Sequence, residues 1–426
     1  MFFKLKILLF LIGIKLERFI GLHSALWYKK LKIFIYLKRI NHSKFYASFD
    51  VISSKFLDLP IMNKSLFMKN FDSINTCGIS YKQAFELAEK AEQLRDFSPM
   101  IGEVAVGLST GTSGNRGMFL VSDTERAKWV AYMIDRVVGF SLKKKTIAFF
   151  LRANNQLYES SKSKRLSFNF FDIYINIDSH IDRLNALSPD ILIAQPSVLM
   201  ILAKKKKAKE LRIQPTKIVS VAEVLTQEDR KFIESIFEIK LSEVYQCTEG
   251  FLASSCSYGT MHFNEDFLIV EKRYLDEEKT KFHPIITDLI RKTQPVVRYE
   301  LNDIITEKSD CKCGSKFLGI ENVEGRSDDI IILADINQNK VRIFPDIIRR
   351  AIVLSCQSIE DYTLIQKNNK SLNLYIKSEL EQSYLVAVSA LEKVFINYNI
   401  VDFEINKLEN YRFKIGNKKR RVINES

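Results

Sequence analysis

The sequence predicts an α/β protein: a large domain of mostly parallel sheets with packed helices, followed by a small α+β domain. Three observations carry this. From Val104 onward, short β-branched and aromatic runs alternate with segments of helical period, the pattern of a largely parallel sheet. The first hundred residues instead read as helical and aromatic-rich. After Gly325 the texture changes again, to short apolar runs around a polar turn. A chain of 426 residues is too long for one ordinary core, so several domains are expected. A hydrophobic share of 46% beside 27% charged residues describes a globular protein with little room for disorder. The expected divisions are 1–100, a helical part of the large domain; 101–325, its core; and 326–426, the small domain.

Taken in order, the elements follow from local chemistry. In "FFKLKILLFLIGIKLERF" the apolar run Ile7–Ile14 is too short to span a bilayer, and no small-residue cleavage site follows it. A basic amphipathic helix packed on the body is expected; the alternative, residues 1–40 resting on a membrane surface, stays open. Tyr81–Asp96 is a second amphipathic pattern. "EVAVGLS" and "GMFLVS" are strands flanking a glycine-rich stretch. Ser122 and Glu125 form a capping-box signature, opening a helix whose Val130, Met133, Ile134, Val137 and Val138 share one face.

Strands follow at "TIAFFL", "FFDIYIN", "DILIA", "KIVSVA" and "LSEVYQ". Between them lie helices near Ile181–Leu187, from Pro196 to about Lys209 with proline in the first turn, and opening at Thr226. Beyond "DDIIIL" come a turn at Asn337–Asn339, a helix near Asp346–Leu354 and two short strands. A helix over Glu379–Val394 and a strand near Asp402–Ile405 complete the series.

The formal net charge is +13. The basic runs Lys143–Lys145, Lys204–Lys207 and Lys418–Arg421 lie far apart and lack interleaved aromatics, so no nucleic-acid partner is expected. With no export signal, a cytoplasmic, reducing setting is expected for the six cysteines, without disulfides. Cys77, Cys247 and Cys356 read as buried apolar residues. Cys311 and Cys313 have the form of a metal knuckle, and Cys256 with His262 offers two more ligands. Four N/S donors suit a closed, structural zinc site better than magnesium, provided folding brings the two pairs together.

"GLSTGTSGNRG", residues 107–117, has glycines and hydroxyls that could close around phosphate oxygens. It has neither the Walker pattern nor the G-x-G-x-x-G of dinucleotide folds. Alone, it reads equally as an ordinary turn. Further along come "SVAEVL" (220–225), "VYQCTEG" (244–250), "VVRYELNDI" (296–304) and "VEGRSDDII" (323–331). In this order and spacing the series resembles the adenylate-forming enzymes: acyl-CoA synthetases, peptide-synthetase adenylation domains and luciferases. "TDLIRKTQPVVRYELNDI", "CKCG" and "GRSDDII" are similar to the phenylacetate–CoA ligase and coenzyme F390 synthetase branch. The likeness runs from Val106 to the last residue.

The resemblance implies roles. Thr110, Thr112 and Ser113, with the amides of Gly111 and Gly114, would clasp the β- and γ-phosphates of ATP, and Arg116 stands where the family often has lysine. Glu249 would hold Mg²⁺, Thr248 would touch the α-phosphate, and Tyr245 would pack near the adenine. Ala222, Glu223 and Val224 would line the adenine and acyl pocket, together with segment 152–158. Asp303 would bind the ribose hydroxyls, Arg326 the ribose and phosphate, and Asp328 would be the hinge to a small lid. Lys418, with Lys419 beside it, would reach the carboxylate and α-phosphate as charge develops. Some members of this branch carry zinc at a similar Cys/His set.

The implied reaction is ATP-dependent conversion of a small-molecule carboxylic acid to acyl-AMP, then transfer to coenzyme A or another acceptor. Two departures, Asn417 between Gly416 and the lysine and "YELND" in place of an Arg-Thr-Gly-Asp-like run, support the alternative. That alternative is a non-catalytic nucleotide- or acyl-binding relative in a polysaccharide or membrane-associated pathway. By themselves the site residues also have plainer readings: Glu249 a helix cap, Asp303 a turn, Arg326 a surface ion pair and Tyr245 a core aromatic.

Overall fold

Apolar runs as continuous as those in the middle of this chain need burial on both faces, which a parallel sheet under helices supplies. The structure, a computed structural model, describes residues 2–49, 56–94, 99–109, 116–139, 143–151, 166–173, 175–356, 358–411 and 420–426. The chain divides into two compact units. Met1–Arg273, Pro284–Leu301 and Glu307–Glu321 form the first; Tyr274–His283, Asn302–Thr306 and Asn322–Ser426 form the second.

In the first unit, five strands lie side by side and parallel: Leu166–Asp172, Lys145–Leu151, Ile191–Ala194, Lys217–Val221 and Leu241–Cys247. Gly250–Ser255 and then Met261–Phe263 extend this sheet in antiparallel fashion. Side chains alternate along each strand, so the sheet has two distinct faces. Ala148, Phe150, Leu192 and Ile218 pack with Leu199, Leu202, Ile233 and Phe237 of the helices Pro196–Lys207 and Gln227–Phe237. Proline occupies the first turn of the former, and the Thr226 side chain caps the latter by accepting from the Asp229 amide. Ile147, Phe149, Ile193 and Val219 point the other way, toward Asp123–Met133 and its continuation as a π-helical turn, Ile134–Val138.

The capping box at the start of that helix reaches further than its sequence signature. One Glu125 oxygen accepts from the Ser122 amide at 2.7 Å and hydroxyl at 2.8 Å. The other accepts from the amides of Lys292 and Thr293, the latter at 2.8 Å. Ahead of it, Val104–Leu108 and Met118–Ser122 pair antiparallel, with Met100–Ile101 on the outer edge. Their inner side chains pack with Ala84 and Ala88 of the helix Tyr81–Gln93. Phe2–Phe19 buries Ile7, Leu11 and Ile14, while Lys15 and Arg18 grip Asp135 at 2.6 Å each.

In the second unit, Ile331–Ala334 and Lys340–Ile343 form a hairpin beside a four-stranded sheet. The order in that sheet is Glu404–Lys407, Ser371–Ser378, Ile359–Gln366 and Val422–Asn424, the central pair antiparallel and each outer strand parallel to its neighbour. Ile352, Leu364, Leu374, Leu391 and Phe395 make its core, with the helices Pro345–Ser355 and Ser383–Asn397 packed on one side.

Local expectations need adjusting where side chains intervene. The expected strand at 170–176 is shifted to Leu166–Asp172, because the Asn176 side chain caps a short 3-10 helix by accepting from the Asp178 amide. The helix expected from Glu379 begins at Ser383, because the Ser378 hydroxyl accepts the Leu380 amide and holds a turn there. Cys77 is exposed rather than buried: its amide and thiol both turn to the Asn75 side-chain oxygen at 3.3 Å. Cys247 and Cys356 are half-buried.

Glu125→Ala leaves the amides of Ser122, Lys292 and Thr293 without their acceptor. It is expected to cost about 2–4 kcal/mol, read by urea unfolding; a loss under about 1 kcal/mol would contradict this account of the carboxylate.

Candidate active site and metal centre

The hairpin carrying the glycine-rich stretch is pinned on both sides of residues 110–115. The Ser109 amide donates to the Gly117 carbonyl at 2.7 Å, and the Gly117 amide to the Ser109 hydroxyl at 2.6 Å. Arg116 donates through Nε to the Ser109 carbonyl at 3.0 Å and grips both Glu92 oxygens at 2.7 and 3.0 Å. In this arrangement its guanidinium belongs to the stem of the hairpin. A Cβ on Gly107 would lie 2.1 Å from the Phe119 ring, so any larger residue there would have to displace that ring. Thr110, Gly111, Thr112, Ser113 and Gly114 lie outside the described residues, as do segment 152–158, Asn417, Lys418 and Lys419.

Beneath the helix Asp123–Met133, against the second face of the parallel sheet, is a cavity of about 260 Å³. Trp129, Met133, Phe149, Phe168 and Val219 are among its walls. Ala222, at the end of one strand, is also in the wall and has φ 69°, a left-handed value uncommon for a residue with a side chain. Glu223 beside it accepts from the Ser197 amide at 3.3 Å, and Val224 is exposed. Along the next strand Val244 and Gln246 face the cavity. Tyr245, between them, sets its ring edge-on to Phe263 at 6.4 Å, a core contact.

The polar end of the cavity gathers Gln246, Thr248, Asp288 and Arg291. The Thr248 hydroxyl donates to Glu249 at 2.8 Å, and the Tyr299 hydroxyl hydrogen-bonds the same carboxylate. Burial, with Glu249 alongside, pushes the Tyr299 phenol far above its usual range, so it stays a donor. Burial also pushes the Asp288 carboxyl up to about 6, against the opposing pull of Arg291. Arg291 donates to the Thr248 carbonyl at 3.2 Å and the Leu120 carbonyl at 3.3 Å, joining strand end to hairpin. A Cβ on Gly250 would sit 2.8 Å from an Asp288 carboxylate oxygen, so a larger residue there would push that carboxylate aside. Asp288, Arg291 and Tyr299 were present in the "TDLIRKTQPVVRYELNDI" run, but only their burial around Thr248 and Glu249 marks them.

In the second unit Arg326 pairs with Asp303 at 3.8 Å. Asn302 donates to Asp328 at 2.9 Å, and its carbonyl accepts the Ser327 amide at 2.7 Å. His283 bonds the Asp303 carbonyl at 3.0 Å. The two motifs around 303 and 326 thus form one polar clasp.

Back in the first unit, the donor atoms of Cys256, His262, Cys311 and Cys313 lie within 4.8 Å of one another. The Cys256 and Cys311 sulfurs are 3.6 Å apart, and Cys313 sulfur is 3.3 Å from His262 Nε2. A tetrahedral zinc site with Zn–S of ~2.3 Å and Zn–N of ~2.0 Å has edges of about 3.5–3.8 Å. His262 Nδ1 bonds the Phe317 carbonyl at 3.0 Å, which leaves Nε2 to face the thiols. Donor set, spacing and outer support all fit a closed zinc site.

No protein-family model and no curated protein matches the sequence. Solved structures do match by shape. 2-Hydroxyisobutyryl-CoA ligase in the postadenylation state, in complex with R3-HIB-AMP, aligns with a TM-score of 0.64 at 13% identity, over 93% of this chain and 89% of that one. The amide bond synthetase McbA from Marinactinospora thermotolerans aligns at 0.54 and 10% identity, over 74% and 67%. A structure from a study of fatty acyl-adenylate ligases from E. coli and L. pneumophila gives 0.54 at 11% identity, over 74% and 68%. With identities this low the likeness is one of architecture, and the chain has the fold of the adenylate-forming ligases.

Proposed function

We propose that this protein uses ATP to convert an apolar carboxylic acid to acyl-AMP, releasing pyrophosphate, and then passes the acyl group to coenzyme A or another acceptor. The observation that carries this reading is the Thr248–Glu249 pair, with Thr248 at the polar end of an otherwise apolar cavity. The similar folds solved with 2-HIB-AMP and CoA support the same chemistry. The acid's hydrocarbon part lies among Trp129, Phe149 and Phe168, and its carboxylate lies toward Thr248.

Attack by that carboxylate on the α-phosphorus needs orientation and charge stabilisation rather than a protein nucleophile. Tyr299 holds the Glu249 carboxylate in place, and the Thr248 hydroxyl turns from Glu249 to an α-phosphate oxygen. Mg²⁺ at Glu249 would neutralise phosphate charge and make the phosphorus more electrophilic. Thr110, Gly111, Thr112, Ser113 and Gly114 hold the outer phosphates, and Arg116 acts by keeping the hairpin stem closed on Glu92. Ala222 and Glu223 flank the adenine, and Tyr245 anchors the neighbouring strand Leu241–Cys247 through its contact with Phe263. Asp303 accepts from the ribose hydroxyls, Arg326 steadies ribose and phosphate, Asp328 is the hinge, and Lys418 neutralises the charge that develops on the carboxylate. Cys256, His262, Cys311 and Cys313 would hold Zn²⁺ in a structural role, since four protein donors leave no open position for catalysis.

Exchange of labelled pyrophosphate into ATP, across a panel of acids, tests the reaction. Exchange should depend on one class of acid and fall on the order of 10²-fold or more in Glu249→Ala. Its absence with every acid, in folded protein that binds ATP, would leave only a binding role. Within the panel, hydrocarbon and aryl acids should exceed their hydroxylated analogues by about 10–100-fold in kcat/KM, because the cavity would bury the hydroxyl without a partner. Equal rates would remove the apolar assignment. Purified protein should contain about one zinc per chain. The double variant Cys311→Ser, Cys313→Ser should lose it and melt earlier; a metal-free wild type of equal stability would remove zinc from the account.

A further inference from the structure

The helix Phe2–Phe19 has two apolar faces. Ile7, Leu11 and Ile14 are buried, but Phe2, Leu5, Leu9, Ile12, Leu16 and Phe19 are exposed, with Phe19 at 89%. Their spacing, alternately three and four residues, draws them into one continuous stripe along the helix. The next helix, Leu26–Ile40, repeats the pattern: Tyr36, Leu37 and Ile40 are buried, while Trp27, Leu31, Phe34 and Ile35 are exposed, Trp27 at 62%. Among the described residues these outer faces stay exposed, and exposed apolar stretches of this extent mark interaction surfaces.

Charge identifies what covers them. Residues 1–40 hold nine lysines and arginines against one glutamate, more than half of the chain's formal net charge of +13. At 100° per residue, exposed Lys4 falls on one side of the first stripe and exposed Lys6 on the other. Exposed Lys30 and Arg39 flank the second stripe in the same way. A second copy of the chain would bring these cations against their own kind, where paired helices ordinarily set opposite charges at their flanks. An anionic lipid surface instead accepts the apolar stripe below the headgroups and the lysines among them, with Trp27 suited to that boundary. Among the described residues no helix is long and apolar enough to cross a membrane.

We infer that the outer faces of Phe2–Phe19 and Leu26–Ile40 dock this protein on the surface of an anionic lipid bilayer, with their axes in the plane of the interface. The inference is independent of the adenylation reading, since it uses neither the cavity nor the nucleotide residues.

Flotation of the full chain with phosphatidylcholine vesicles containing about a third phosphatidylglycerol tests it. The wild type should float with these vesicles and at least ~10-fold less with pure phosphatidylcholine or in high salt. The variant Leu5→Ser, Leu9→Ser, Ile12→Ser, Leu16→Ser changes only exposed side chains and should reduce flotation by about tenfold or more, with an unchanged melting curve. Lys4→Glu, Lys6→Glu, Lys30→Glu should do the same and serves as the second probe if the serine variant misfolds. Wild type that stays below the vesicles, or variants that float as well as it does, would overturn the inference. So would a vesicle-independent dimer that the serine variant dissociates, which would assign the stripe to a second copy.

Discussion

One buried carboxylate organises the first unit. Glu125, 4% exposed, closes the capping box on Ser122 and accepts the amides of Lys292 and Thr293. That fixes the helix forming the cavity roof to the hairpin before it and to a segment far along the chain. Gln294 and Arg291 reinforce the same junction. Gln294 accepts the Leu120 amide at 3.0 Å and donates to the Met118 carbonyl at 3.2 Å, and Arg291 donates to the Leu120 carbonyl. Four donors satisfy the buried carboxylate; without it, the buried Thr293 amide in particular loses its acceptor. The position of Asp288 and Arg291 at the cavity's polar end follows from that junction.

The two faces of the parallel sheet divide labour. One is packed by Leu199, Leu202 and Phe237. The other leaves about 260 Å³ open under the helix that begins at Asp123. That helix ends in a π-helical turn, Ile134–Val138, whose Val137 and Val138 reach the cavity. A widened turn changes which side chains face inward without changing the helix's anchoring at Glu125, and such turns recur at functional sites. The shape of the space therefore follows from backbone irregularity as much as from residue size.

Much of the local structure was legible in advance. The capping box at Ser122, proline opening the helix at Pro196, the threonine cap at Thr226 and the strand periods all report interactions within a few residues, which a linear reading captures. The adjustments came where a side chain redirected its own backbone, as Ser378 does before Ser383 and Asn176 after the strand Leu166–Asp172. Cys77 departs from the buried, apolar setting usual for cysteine, because a single asparagine oxygen holds it in an exposed turn.

What the sequence by itself determined is the class of fold, the order of its elements and which polar, charged and sulfur-bearing residues its motifs carry. Periodicity and motif spacing express those directly. The tertiary structure decided which of them meet: Cys256 with Cys311, Arg116 with Glu92, Tyr299 with Glu249, and the second carboxylate oxygen of Glu125 with Lys292. It also decided which of the two apolar faces of Phe2–Phe19 is buried and which remains open. Such contacts join residues that are remote along the chain, and their partners are selected by packing, so no local pattern encodes them.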